Sequence, residues 1–136
     1  FTVHTLAYLI KGGRLTKFKG TLAETLDMKP ILIVDGNGAL AVIKTVRGRK
    51  KSLKYLVEYA KENSSVMEGA AVALCHGEDK ESRDFMLSMI EQEIHPGEVL
   101  VGTVGCAIGA HTGRGLIGFC FFDADDGKYQ RYFESV

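Results

Sequence analysis

The sequence predicts an α/β domain built on a mixed β-sheet packed with helices. Short apolar runs rich in β-branched residues alternate with segments whose apolar residues recur at helical spacing. Two of the runs are joined by a Gly- and Asn-rich turn, the signature of a hairpin, which adds antiparallel pairing to a sheet of helix-separated strands. The 136 residues are 46% hydrophobic and 25% charged, the length and composition of one domain with a real core.

The elements follow in order. Residues 5 to 10 (TLAYLI) read as a short helix stopped by Gly12 and Gly13, because glycine past the last apolar position tolerates the turn that ends a helix. A second short helix fits residues 18 to 26. Pro30 opens the extended run 31 to 34 (ILIV). Asp35-Gly36-Asn37-Gly38 turns it, and residues 40 to 46 return as its hairpin partner. In residues 50 to 62, Leu53, Leu56, Val57 and Ala60 share one helical face. Residues 70 to 74 read as a buried strand, and 79 to 94 as a helix turning Phe85, Met86, Met89, Ile90 and Ile94 inward until Pro96-Gly97 ends it. Residues 99 to 104 form a strand, 105 to 115 a glycine-rich crossover, and 116 to 122 a last strand. The tail from Asp123 is polar apart from Tyr129, Tyr132 and Phe133.

Lys plus Arg and Asp plus Glu both number 17, and this neutral balance argues against a nucleic-acid binder. Cys75, Cys106 and Cys120 form no CxxC pair. Two lie in apolar runs, which suits reduced, buried thiols and a cytoplasmic setting. No apolar run approaches the roughly 20 residues of a transmembrane helix, and no signal-peptide pattern opens the chain. HExxH, a Ser-centred elbow, paired carboxylates and the EF-hand spacing are all missing, so neither a resident metal nor a hydrolase is expected.

Three segments can carry chemistry. Lys11-Gly12-Gly13-Arg14 delivers an arginine from a sharp turn; its fork fits a carboxylate or phosphate, although a helix cap followed by a surface Arg is the simpler reading. Arg47-Gly48-Arg49-Lys50-Lys51 places cations at a helix start, where they oppose the macrodipole. That placement favours an anionic partner over a solvated face. The segment Gly102 to Gly115 combines glycines that admit close backbone approach with a titratable ring at His111 and a hydroxyl at Thr112. It is not a P-loop. It reads either as a ligand-facing loop or as a tight crossover with a satisfied histidine. His76 ends a strand and reads as a surface or capping residue, and His4 and His95 as structural or exposed.

Five pieces in one order, TLAYLIKGGRL, LDMKPILIVDGNGAL, VRGRKKSL, VALCHG and VGTVGCAIGAHTGRGLIGFCFF, resemble the DegV family, whose usual pattern carries KGGR, RTRKK and GTHTGPG elements. The resemblance runs to about residue 122. It implies the carboxyl-terminal lobe of a two-lobed carrier over residues 1 to 136, with an amino-terminal lobe missing. The implied ligand is a long-chain fatty acid such as palmitate, stearate or oleate, with no cofactor. The implied partner is the catalytic subunit of a fatty acid kinase, so the chain itself is expected to be no enzyme. By resemblance Arg14, His111 and Thr112, with Gly109 and Ile108, belong to the ligand site, and Arg47 to the kinase contact. Arg114 and Cys106 stand where the family usually has Pro, which alters the same loop. The alternative expectation is a phosphate- or nucleotide-binding enzyme using the glycine-rich segment with Arg47 and Gly109.

Overall fold

The computed structural model describes residues 1–15, 27–64 and 68–122. The helix expected at 18 to 26 and the carboxyl-terminal tail lie outside them. The elements are α1 (Ala7–Lys11), β1 (Met28–Val34), β2 (Leu40–Arg47), α2 (Arg49–Asn63), β3 (Ala71–His76), α3 (Lys80–Glu93), β4 (Glu98–Thr103), α4 (Cys106–Thr112) and β5 (Ile117–Cys120).

The sheet is mixed, as expected. β1 and β2 form the antiparallel hairpin, and β3 pairs in parallel with β4 and antiparallel with β5. Among the described residues the backbone pairing between the hairpin and the three-stranded sheet runs through the first two residues. Thr2 bridges Ile31 on one side and Ile117 on the other. Its amide donates to the Ile117 carbonyl at 2.9 Å, and the Leu32 amide donates to the Phe1 carbonyl at 2.8 Å. The Thr2 hydroxyl, fully buried, donates to the Pro30 carbonyl at 2.7 Å. Beyond this short seam the two sheets diverge, and the gap between them is where the main cavity lies.

The hairpin turn is held by Asp35, whose carboxylate accepts from the Asn37 and Ala39 amides at 2.9 Å each, an Asx turn. A β-bulge interrupts the hairpin: Ile31 faces Lys44 while Leu32 faces Val42, so Ile43 has no opposite residue.

The helical stripes behave as their spacing requires. Leu53, Leu56, Val57 and Ala60 of α2 pack with Met86, Met89, Ile90 and Ile94 of α3 against Val72 and Leu74 of β3 in one cluster. Phe85 is only half-buried. A second cluster, Leu6, Leu9, Leu15, Leu32 and Leu116, seats α1 on the opposite face. Asp79 caps α3, its carboxylate accepting from the Ser82 amide at 3.0 Å.

Three expectations are corrected. The stretch 105 to 115 contains α4, a helix of about two turns, rather than a loop throughout. Alanines and an isoleucine outweigh the single internal glycine there, and Gly113 (φ 71°) ends the helix by donating to the Gly109 carbonyl. The last strand is shorter than 116 to 122. The thiols in apolar runs are not both buried: Cys75 is half-buried and Cys120 exposed, because both face the cavity.

Candidate functional site

A cavity of about 570 Å³ opens between the hairpin and the three-stranded sheet. Ile31, Ile33, Leu40 and Ile43 line it from the hairpin, Leu56 and Tyr59 from α2, and Phe119, Cys120 and Phe121 from β5 and its continuation. The bulge explains how Ile43 comes to face this space, and nothing in the residue pattern of β2 signals it. The walls are almost wholly apolar.

The polar side chains cluster where α1 meets α4. Arg14, His111 and Thr112 line the cavity together with Ile108, so four of the residues singled out from the sequence come together although 94 positions separate Arg14 from Ile108. Gly109 lies on the same helix and is not part of the lining. Arg47, at the end of β2, is exposed and stands apart from the cavity.

Each group is held by a local device. Gly13 takes φ 71°, which a side chain would disfavour, and the turn it makes points Arg14 back so that one guanidinium nitrogen donates to the Gly12 carbonyl at 2.9 Å. The other N–H groups of the fork have no hydrogen-bond partner among the described residues and suit a carboxylate. The Thr112 hydroxyl donates to the Ile108 carbonyl at 3.0 Å, leaving its lone pairs. The Nδ1 of His111 is buried and has no hydrogen-bond partner among the described residues. It rests against Gly12, where an added Cβ would fall 2.1 Å from that nitrogen. At Gly113 a Cβ would come within 2.8 Å of the Tyr8 ring. The glycines of KGGR and HTGR thus serve the packing of α1 on α4, and that packing sets the His111 ring.

A second cavity, of about 600 Å³ and polar, lies beyond the turn after α4. Arg49, from the basic cluster, donates to the Asp79 carboxylate at 2.9 Å, to the Ser82 hydroxyl at 3.0 Å and to the Gly115 carbonyl at 2.6 Å. Burial pushes the Asp79 carboxyl up, but the Ser82 hydroxyl and amide, with Arg49, more than reverse this and hold it below its ordinary value. His4 stands 3.7 Å from the same carboxylate. Burial, then Arg49 and Lys29, nonetheless push the His4 ring down. Arg114 pairs with Glu78 at 3.0 Å, both exposed. His76, expected at the surface, is buried, and its Nδ1 has no hydrogen-bond partner among the described residues. It alternates in step with Val72 and Leu74, which point into the core. Sequence reasoning missed the Arg49–Asp79–Ser82 network; its one legible trace is Asp79-x-x-Ser82 at a helix start.

No group of three or more His, Cys, Asp or Glu side chains among the described residues could hold a metal ion. No helix among them is long and apolar enough to cross a membrane.

Residues 1–124 match a family model described as an uncharacterised protein of the DegV family. The chain belongs to the DegV family. A DegV domain-containing protein of Clostridium acetobutylicum is 36% identical over 123 residues, which cover 90% of this chain and 44% of that one. Among solved structures, a DegV family protein from Eubacterium eligens loaded with heptadecanoic acid superposes with a TM-score of 0.76 at 28% identity, covering 88% of this chain and 43% of that one. DegV, a fatty acid binding protein from Bacillus subtilis, superposes with a TM-score of 0.67 at 29% identity, over 89% and 43% of the two chains. The DegV chain described here therefore spans less than half the length of each of these proteins.

Proposed function

We propose that this chain binds a long-chain fatty acid in the apolar cavity and presents its carboxylate to a separate kinase that forms the acyl phosphate. The observation that carries the reading is the cavity itself: about 570 Å³ of apolar wall with Arg14, His111 and Thr112 gathered on its α1–α4 side. Moving an acyl chain from water into such a space gains about 0.8 kcal/mol per methylene, enough for tight binding after ordering costs. A carboxylate leaving water needs donors or a positive partner, which Arg14 supplies directly and His111 through its ring. In this role the chain is a carrier and the bond-making belongs to its partner. Arg47, exposed and outside the cavity, is the candidate kinase contact. The length that the relatives have beyond this chain is the candidate for a second lobe completing the head-group site. The nucleotide reading has less support, since its glycine-rich segment is largely helix α4 packed on α1.

Mass spectrometry of an organic extract tests this. The purified protein, refed with oleate after delipidation, is expected to retain fatty acid stoichiometrically, and an extract that stays empty would sink the proposal. Arg14→Ala should weaken retention. Arg47→Ala should leave retention intact and lower acyl-phosphate formation by the kinase. Equal losses of retention in both variants would refute the division of roles.

A further inference from the structure

The two edges of the sheet are treated differently. β2 forms one edge and carries the devices that discourage strand addition: Lys44 and Arg47 on the strand and the bulge at Ile43. Lys44 also covers the Tyr55 ring, 4.1 Å from its centroid. β4 forms the other edge and carries none of them. Its register with β3 is continuous from Glu98 to Thr103, it has no Lys, Arg or Pro, and its only charge is Glu98 at the very start. Large apolar side chains stay accessible on both its faces, Leu100 55% exposed on one and Val101 48% exposed on the other, although Val99 packs partly against the core. Among the described residues no strand pairs with the outer ladder of β4, and an unguarded, apolar edge strand is a template for another strand.

We propose that this edge pairs with β4 of a second copy of the chain, antiparallel about a two-fold axis at Leu100. The strand's own sequence fits this occupant. A two-fold axis perpendicular to a sheet pairs residues that face the same way. Centred on Leu100, it sets Leu100 against Leu100, Val99 against Val101, and Glu98 against Gly102 of the other copy. One face then carries a leucine pair, and the other a cluster of four β-branched valines, the cross-strand contacts that stabilise antiparallel pairs. The two Glu98 carboxylates face glycines at opposite ends rather than each other. The sheet would run unbroken through both copies, and the interface is independent of the fatty-acid reading.

Sedimentation velocity on the full 136-residue chain across a concentration series tests the idea. A concentration-dependent dimer is expected. Leu100→Lys places two ammonium groups opposite each other and should raise the dissociation constant roughly 100-fold. Val101→Lys, on the other face, should also weaken the dimer, while Thr45→Lys on the β2 edge, outside the cavity lining, should leave it intact. Circular dichroism confirms that each variant is folded. A wild-type chain monomeric at every concentration would overturn the proposal and leave the edge to a different segment or protein. So would a dimer that survives both β4 substitutions.

Discussion

The two cavities lie on either side of the short turn from Thr112 to Gly115, and both contain arginine. In the polar cavity Arg49 is tied to the fold: its Nε and Nη2 reach Ser82, Asp79 and the Gly115 carbonyl, and only its buried Nη1 has no partner among the described residues. In the apolar cavity Arg14 makes one bond to its own turn, and the His111 Nδ1 has no partner in the described chain. Polar groups that satisfy one another belong to the architecture. Polar groups gathered beside an apolar wall, with donors to spare, belong to a ligand. This contrast separates two arginines that the sequence presents alike, each directly after a glycine.

The largest expected effect lies in the polar cavity. Arg49→Met removes the link between the start of α2, the cap of α3 and the turn after α4, and leaves the Asp79 carboxylate half-buried without its charge partner. A loss of about 2–3 kcal/mol is expected from breaking such a charge-assisted network. Urea denaturation measures it. Fatty acid retained per folded molecule should not change. A variant as stable as the wild type but unable to retain lipid would reverse the roles assigned to the two arginines.

A smaller effect on stability, with a larger one on binding, is expected at Gly12→Ala. The new methyl would collide with the His111 ring, so α4 must shift or the ring must turn away. Retention of oleate should fall about tenfold, the equivalent of one displaced hydrogen bond to a charged group. Thermal unfolding should move by only a few degrees. Binding that survives unchanged would show that the His111 ring is not part of the head-group site.

Most of the fold was legible in the sequence. The stripes of α2 and α3, the hairpin turn and the mixed sheet all follow from periodicity and turn chemistry, which are local. What was not legible depends on packing between distant segments. Five glycines among residues 102 to 115 conceal α4, because glycine density signals loop while the intervening Ala, Ile and Thr side chains sustain a helix. The bulge at Ile43 leaves no residue signature in LAVIKTVR. Arg14 and His111 are each nominated by their own segments, KGGR and HTGR, but only family likeness puts them in one site, since nothing in the spacing of residues 14 and 111 says that they share a cavity. The Arg49 network was hidden because a basic cluster looks solvated until the carboxylate that faces it, 30 residues on, is known.

The finest test of the contrast is acid titration, because the polar cavity holds a carboxyl and an imidazole, Asp79 and His4, displaced from their ordinary values. Asp79 is held below the usual carboxylate value in the folded chain, so it contributes stability that is complete above about pH 4, the unfolded value. That contribution is lost as the pH falls through the lower folded value. His4 is also displaced downward, chiefly by burial and then by Arg49 and Lys29. Its neutral form is the one the fold prefers, so its contribution is present above about pH 6.5 and fades as the pH falls through the folded value. Unfolding measured from pH 8 to pH 3 should therefore show a shallow decline first and a steeper one near the carboxyl range. His4→Ala should erase the first step, and Arg49→Met should reduce the second without abolishing it, because the Ser82 hydrogen bonds that do most to depress Asp79 remain while the arginine's share is gone. A second step undiminished in Arg49→Met would mean that Ser82 alone holds the Asp79 carboxylate charged, and the arginine would then be a tether between α2 and the Gly115 turn rather than the charge partner of the cap.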